Sequence, residues 1–109
     1  MKRGDVVVVA LSGDFGKPRP ALVVQSDLFN ETHASITLAP VTSSIVDAPL
    51  FRLTLEPSSE TGLRSVSQIM VDKVTTVKRD KVDRTIGRIN DETMLRVNRA
   101  IAIWFGVAA

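Results

Sequence analysis

The side chains that this 109-residue sequence offers for chemistry are arginines, lysines, hydroxyls and carboxylates. Cysteine is absent, which excludes a thiol nucleophile, a disulfide framework and a cysteine-based zinc site. His33 is the only histidine, so a histidine metal cluster and a two-histidine ribonuclease mechanism within one subunit are excluded. The carboxylates are scattered, without metal-binding spacing. Catalysis must therefore use Arg, Lys, Ser, Thr, Asp or Glu, and neither a metal nor another cofactor is predicted.

The glycines near the N-terminus do not form a nucleotide-binding loop. A Walker A loop has four residues between its glycines and a Ser or Thr directly after its lysine. Here two residues separate Gly13 from Gly16, and Pro18 follows Lys17. Residues 12–18 are instead a cluster of turn-forming residues that connects two predicted strands.

The charge is distributed unevenly, although the net charge is only +2. Residues 1–62 carry five basic and seven acidic side chains, whereas residues 63–109 carry nine basic and five acidic ones. The C-terminal part therefore has a net charge of +4. This excess suits a polyanion or an acidic partner, and it also occurs on ordinary solvated surfaces.

Short apolar runs bounded by turn residues predict a mainly β chain. Residues 6–11 and 21–25 are rich in β-branched side chains, which favour strands. Partial alternation and nearby prolines predict further strands. These lie at 35–41, 50–55, 68–77 and 84–89, which gives six or seven strands in all.

The last part of the sequence changes to the period of a helix. An amphipathic helix is predicted over 91–105, with Asn90 or Asp91 as N-cap and Gly106 as its stop. Ile103 lies in line with the charged face, which indicates either a subunit contact or a single tolerated surface residue. The apolar face comprises Met94, Val97, Ile101 and Trp104.

Short strands followed by one terminal helix predict a single domain over residues 1–109. The expected architecture is a small twisted sheet or barrel with the helix packed against it. The apolar run 6–11 is too short to cross a membrane and lacks a signal-peptide cleavage site. We therefore expect a cytoplasmic protein without membrane association.

Four segments, in order along nearly the whole chain, carry recognisable motifs. Residues 3–9 read Arg-Gly-Asp-Val-Val-Val-Val, and residues 16–25 read Gly-Lys-Pro-Arg-Pro-Ala-Leu-Val-Val-Gln. Residues 40–43 read Pro-Val-Thr-Ser, and residues 67–77 contain Ser-x-x-x-x-Asp-x-Val-x-Thr-Val. Together they resemble the MazF/PemK/Kid family of toxins from toxin–antitoxin systems, and the second motif is the most specific. The terminal helix stands where that family has its C-terminal helix.

The resemblance implies a small SH3-like β-barrel of six to seven strands with a C-terminal α-helix, assembled as a homodimer whose RNA groove spans both subunits. It implies a sequence-specific endoribonuclease that cleaves single-stranded RNA without a metal. The RNA's own 2′-hydroxyl attacks the phosphorus and leaves a 2′,3′-cyclic phosphate and a free 5′-hydroxyl. A cognate antitoxin is implied as the partner that occupies the same groove.

The same resemblance implies the catalytic residues Arg19, Thr42 and Asp72. Arg19 matches the family's catalytic arginine. An arginine guanidinium is planar and permanently charged, so it suits phosphate oxygens and is a poor proton carrier. Thr42 matches the catalytic threonine and can donate its hydroxyl to a non-bridging oxygen or orient the nucleophile. From the residues alone, Arg19 between Pro18 and Pro20 is equally a turn residue, and Thr42 is a strand-end residue.

Asp72 matches an aspartate that some family members use as a proton acceptor. Partial burial would raise the pKa of its carboxyl toward a useful value. In those members an arginine that acts as the acid stands two residues earlier, where this sequence has Met70. No residue fills that role here unless Arg19 acts both as the acid and as the group that stabilises the phosphate charge. A structural Asp72 that pairs with Lys73 or an arginine is an equal alternative.

Three further residues are candidates for RNA binding. Lys17 suits a backbone phosphate, and Ser43 suits a hydrogen bond beside the catalytic threonine. Phe15 is the candidate for stacking on an unpaired base, because Phe51, Trp104 and Phe105 fit core positions.

Two alternatives from other functional classes stay open. Residues 100–106 also resemble the end of the CcdB toxins, which share the fold but bind and poison DNA gyrase without being nucleases. The third class is a non-catalytic barrel that binds RNA or protein. The motifs around Arg19 and Thr42 favour the nuclease.

Overall fold

The computed structural model describes residues 1–11, 13 and 17–108. Within them, the chain forms seven strands, two single-turn 3₁₀ helices and one α-helix. The strands are β1 (Asp5–Ala10), β2 (Pro18–Val23), β3 (Ser35–Thr42), β4 (Arg52–Leu55), β5 (Ser67–Met70), β6 (Thr75–Lys78) and β7 (Val82–Arg88). The 3₁₀ turns are Val71–Lys73 and Arg79–Lys81, and the helix α1 is Asp91–Trp104. The predicted mainly β fold with a C-terminal helix is confirmed.

A short connection forces the sheet to curl. All strand pairs are antiparallel, and β6, β3, β2, β1 and β7 form a five-stranded run with β6 and β7 at its edges. If this run were flat, its edges would lie about 19 Å apart, at roughly 4.8 Å per strand. The chain from Lys78 to Val82 can span at most about 14 Å. The edges must therefore approach each other, which produces the barrel that the resemblance implied.

Both faces of β1 are buried, which explains its unbroken valine run. Val7 and Val9 point into the barrel, where Val77 of β6 and Val82 of β7 pack against their cluster. Val6 belongs to a second cluster on the other face, which α1 covers. The barrel cluster is Val7, Val9, Ala21, Val23, Ile36 and Leu38, and the second cluster includes Val6, Leu22, Val41, Ile69, Val97 and Ala100.

Strands β5 and β6 lie along the same edge of β3 and were predicted as one apolar stretch. Val41 of β3 pairs with Ile69 of β5, and Leu38 of β3 pairs with Thr75 of β6. A step of three residues along β3 therefore corresponds to a step of six along the opposite segment, which is three residues more than in a continuous strand. These residues form the 3₁₀ turn Val71–Lys73, which directs Val71 into the core. The stretch is therefore two strands.

The termini of α1 match the predicted capping residues. The Asn90 side chain accepts a hydrogen bond from the Thr93 N–H at 2.8 Å, which makes Asn90 rather than Asp91 the N-cap. Gly106 adopts φ +74°, and its N–H donates to the Ile103 carbonyl at 3.1 Å. Gly106 therefore ends the helix as predicted. Within the described residues, no helix is both long enough and apolar enough to span a bilayer.

Several predicted core positions at the end of α1 were wrong. Trp104 and Phe105 are 47% and 61% exposed, because the helix packs on the sheet through its middle turns around Val97 and Ala100. Phe51, by contrast, packs against the core as predicted. Ile103, predicted to be exposed, is half-buried.

The fourth strand is shorter than predicted. It begins at Arg52 rather than at residue 50, because the chain before it forms a turn in which the Arg52 N–H donates to the Ala48 carbonyl at 2.8 Å. Leu50 lies in that turn and is 63% exposed.

Two glycines allow the connection between β4 and β5 to pack backbone to backbone on β7. The Arg88 N–H donates to the Glu60 carbonyl at 2.8 Å. A Cβ at Gly62 would lie 2.3 Å from the Ile86 carbonyl oxygen, and one at Gly87 would lie 2.3 Å from the Glu60 carbonyl oxygen. Any side chain would therefore push the connection off the barrel.

We expect Gly62→Ala to destabilise the fold more than Gly106→Ala. Both glycines have φ +74°, so both variants carry the same backbone strain, but a Cβ at Gly106 meets nothing within 4 Å. The clash at Gly62 should cost about 1–3 kcal/mol beyond the control. Urea unfolding measures the difference, and equal destabilisation of the two variants would contradict the proposed backbone contact.

Candidate functional site

A cleft of about 700 Å³ opens where β1, β2, β7 and the end of β3 meet the segment before β5. In the described part of the chain its lining includes three arginines and no carboxylate. Such a cleft attracts an anionic ligand. Its polar lining comprises Arg19, Thr42, Ser43, Ser44, Arg64, Ser65, Ser67 and Arg84.

The sheet brings two of the predicted catalytic residues to the cleft. Ala21 of β2 pairs with Pro40 of β3 at the end of this ladder. Arg19 and Thr42 each lie two residues beyond that pair, and both line the cleft. Arg19 also pairs with Val9 of β1 and is exposed at the cleft. The sheet thus brings a guanidinium and a hydroxyl to the same cleft.

The hydroxyl of Thr42 has one fixed hydrogen bond. Its oxygen accepts from the Ser44 N–H at 3.1 Å, in a turn directly after β3. This bond orients the oxygen and uses one of its lone pairs, so the hydroxyl hydrogen can still be donated to another acceptor. Thr42 is therefore suited to donate to a phosphate oxygen.

The predicted RNA-binding residues take different positions. Ser43 is exposed and lines the cleft next to Thr42. Lys17 is exposed directly before β2, and it is not among the lining residues. Phe15 lies outside the described residues. Met70, which stands where some family members have an arginine, lines the cleft.

Asp72 lies outside the cleft lining and forms an ion pair with Arg52. The Arg52 Nε and Nη2 atoms donate to Asp72 Oδ1 and Oδ2 at 2.7 and 3.0 Å, and the two side chains are only 12% and 15% exposed. The hydrogen bonds from Arg52 lower the pKa of Asp72. The predicted increase in this pKa is wrong, because the cationic partner outweighs desolvation. The alternative of pairing with an arginine matches the structure.

Gln68 is a site residue that the sequence analysis missed. It is 2% exposed and pairs with Thr42 across the strands. Its side-chain amide accepts from the Val46 N–H at 3.1 Å, and it donates to the Val46 carbonyl at 2.9 Å and to Thr54 Oγ1 at 3.2 Å. These bonds hold the loop that carries Ser43 against β4 and β5. A lone amide in an apolar strand was the available signal.

Arg64 and Arg84 were also not predicted as site residues. The basic excess of residues 63–109 pointed to this part of the chain as a binding region for an anionic partner. It did not show which of the nine basic side chains there would line the cleft. Within the described residues, no group of three or more His, Cys, Asp or Glu side chains could hold a metal ion.

We expect Asp72→Asn to lower the free energy of unfolding by about 1–3 kcal/mol at pH 7, because Arg52 is then mostly buried without its ionic partner. The pKa of Asp72 is lowered in the fold, so the pair stabilises at pH values above roughly 3.9, the ordinary aspartate value. This stability is lost as the pH falls through the lowered folded pKa. Urea unfolding between pH 7 and 3 should therefore show the wild-type advantage shrinking at the acid end.

Asp83→Asn is the matched control for that variant. Asp83 pairs with Arg84 at 2.6 Å, but the side chains are 66% and 63% exposed, so its removal should cost at most about 1 kcal/mol. An Asp72→Asn variant that is no less stable than Asp83→Asn would contradict the structural role of the ion pair.

We expect Gln68→Met to loosen the loop at Val46. The variant keeps the side-chain length but removes both hydrogen bonds to the Val46 backbone. Hydrogen exchange of the Val46 amide should become about tenfold faster. The Val71 amide, which donates to the Phe51 carbonyl at 3.0 Å, is the internal control. Unchanged exchange at Val46 would show that Gln68 does not hold the loop.

Comparison with known proteins gives a consistent assignment. A family model described as the PemK-like, MazF-like toxin of type II toxin–antitoxin systems matches residues 2–105. The chain is 46% identical over 109 residues to the probable endoribonuclease MazF of Mycolicibacterium smegmatis, with 99% of each chain covered. It is 29% identical over 107 residues to the endoribonuclease EndoA of Bacillus subtilis, with 94% of this chain and 92% of that protein covered.

The fold is similar to that of a mycobacterial endoribonuclease solved in complex with its cognate antitoxin. The TM-score is 0.84 at 21% identity, over 100% of this chain and 98% of the other. The motifs, the fold and the match along residues 2–105 agree. The chain therefore belongs to the PemK-like, MazF-like family of toxins of type II toxin–antitoxin systems, as its sequence motifs predicted.

Proposed function

We propose that this chain is a toxin endoribonuclease that cleaves single-stranded RNA in the cleft containing Arg19 and Thr42. Family membership and the endoribonuclease names of its relatives support this activity. The observation that supports the assignment is the cationic cleft, whose lining includes both the Arg19 guanidinium and the oriented Thr42 hydroxyl. This pair of groups suits a phosphodiester.

In the proposed reaction, the RNA's 2′-hydroxyl oxygen attacks the adjacent phosphorus. The 2′-hydroxyl releases its proton to solvent water, the bond from phosphorus to the 5′-oxygen breaks, and the leaving oxygen takes up a proton from water. Negative charge grows on the phosphoryl oxygens as the new bond forms. Arg19 stabilises this charge through its planar fork, and Thr42 donates its hydroxyl hydrogen to a non-bridging oxygen. The products are a 2′,3′-cyclic phosphate and a 5′-hydroxyl end, and the step uses no metal.

Asp72 has a positioning role in this proposal rather than a role as proton acceptor. Its lowered pKa makes it a weaker base. Its paired oxygens hold Arg52 of β4 against the 3₁₀ turn that directly follows Met70. The pair thereby supports the wall of the cleft to which Met70 contributes.

The proposed partners follow the family. The chain acts in the cytoplasm as a homodimer, and a cognate antitoxin blocks its RNA groove. The complex of the structurally similar mycobacterial endoribonuclease with its antitoxin supports such a partner. In the same proposal Ser43 binds RNA beside Thr42, Lys17 binds a backbone phosphate, and Phe15 stacks on an unpaired base.

The test is incubation of the purified chain with a long single-stranded RNA in EDTA, followed by mapping of the cut ends. We expect cuts with 5′-hydroxyl ends at a short recurring sequence. Arg19→Ala and Thr42→Val should each cut about 10²–10³ times more slowly, because each lacks a group that stabilises the transition-state charge. Thr42→Ser keeps the hydroxyl and should retain most activity.

Arg96→Ala is the control, because Arg96 is exposed on α1 and is not a lining residue. Intact RNA with a correctly folded wild-type chain would overturn the proposal. Trapped gyrase–DNA cleavage complexes in a parallel assay would then favour a CcdB-like poison, and their absence would favour a non-catalytic barrel.

A further inference from the structure

We infer that Arg64 and Arg84 form a second phosphate subsite in the cleft, which binds the RNA backbone next to the scissile phosphate. This inference rests on the proposed function and adds substrate-binding residues to it. Both arginines line the same cleft as Arg19 and Thr42, and each comes from a different element of the fold.

The shape of β7 directs Arg84 to the cleft. Pairing with β1 shifts register between Val8 and Val9 and again between Val6 and Val7, so β7 contains one extra residue at Asp83 and another at Ile86. Such β-bulges bend a strand and redirect its side chains. Arg84 thereby lies opposite Val8, which also lines the cleft, whereas Thr85 and Gly87 line a separate cavity of about 640 Å³.

A different contact places Arg64. The connection before β5 lies against β7 through the backbone approach of Gly62 and Gly87. The Thr61 hydroxyl accepts from the Leu63 N–H at 3.3 Å, and Leu63 is 7% exposed, so the residue before Arg64 is anchored in the core. Arg64 itself is exposed at the cleft. A buried anchor thus presents a long, charged side chain to the ligand.

The chemistry of these side chains matches phosphate. A guanidinium binds phosphate oxygens through two parallel N–H donors. The pair between Arg84 and Asp83 does not prevent this, because both side chains are more than 60% exposed and such pairs are weak. A phosphodiester chain offers a stronger partner, since several charges bind together and release counterions.

The spacing favours more than one phosphate. β2 and β7 lie on opposite sides of β1, so the backbones of Arg19 and Arg84 are about 10 Å apart. Both side chains line the one cleft from strands two apart, which suits contact with successive phosphates better than with a single one. RNA fits this arrangement better than an acidic peptide, because the scissile phosphate beside Arg19 and Thr42 fixes one end of the same chain.

The test measures binding and turnover separately. The binding probe is a fluorescein-labelled oligoribonucleotide that spans the mapped cut sequence and carries 2′-deoxyribose at the cut position, so that it cannot be cleaved. Its Kd is measured from 50 to 300 mM KCl for wild type, Arg64→Gln, Arg84→Gln, Arg84→Lys and Arg99→Gln. Initial rates on the matching all-ribose oligonucleotide provide KM and kcat. Circular dichroism melting checks that each variant is folded.

We expect Arg64→Gln and Arg84→Gln each to raise Kd and KM on the order of tenfold, with kcat within about twofold of wild type. The slope of log Kd against log salt should fall by about 0.7 for each phosphate that the variant no longer neutralises. Arg84→Lys should restore the slope, because it keeps the charge. Arg99, exposed on α1 outside the cleft lining, is the control and should match wild type in all values.

The subsite would be overturned if Arg64→Gln and Arg84→Gln both had the same Kd, KM and salt slope as wild type. If Arg19→Ala were still inactive in that case, the ribonuclease assignment would stand. A weaker affinity for the purified antitoxin, with RNA values unchanged, would also overturn the subsite in favour of an acidic protein partner. Intact RNA with the folded wild-type chain would instead remove the proposed function.

Discussion

The strand β3 is the element on which the rest of the molecule depends, because it pairs with three other described strands. One edge pairs with β2, and the other pairs first with β6 and then with β5. These pairings hold the barrel and the β4–β5 hairpin in one register. Thr42 ends this strand, with Gln68 paired to it on one edge. The neighbouring strand β2 carries Arg19 to the same cleft, so the shape of the cleft is a consequence of the sheet.

Arginine is used in two opposite ways in this small domain. Arg52 is mostly buried and binds both oxygens of Asp72, so its charge holds β4 to the 3₁₀ turn. Arg64 and Arg84 are exposed and come from segments anchored by backbone contacts. Their scaffold is fixed by those contacts, while their side chains can adapt to a flexible polyanion. Exposed arginines can therefore attract a polyanion without a buried pocket that is shaped for it.

Backbone geometry rather than side-chain packing positions one wall of the cleft. The close approach at Gly62 and Gly87 brings the connection before β5 onto β7, and the two bulges turn Arg84 and Ile86 toward it. Both devices act through main-chain atoms. They explain how a domain with one sheet and one helix forms a cleft of about 700 Å³ from its described residues alone.

The sequence by itself determined the class of the fold and the family. Alternation, turn residues and helical spacing are local properties, so they predicted the strands, an N-cap at Asn90 or Asp91, and the Gly106 stop. The motifs around Arg19 and Thr42 indicated the family. Exposure at the end of α1 was mispredicted, because helical periodicity does not show how far a helix extends beyond its sheet. Trp104 and Phe105 were therefore predicted as core residues, although both are exposed.

Only the tertiary structure decided which charges meet. Asp72 and Arg52 are 20 residues apart and pair because β4 and the 3₁₀ turn are neighbours, which reversed the expected pKa shift. Arg64 and Arg84 join Arg19 through a glycine contact and a bulge, neither of which has a local sequence signature. Contacts between distant segments depend on register and closure, and these are set by the whole chain at once.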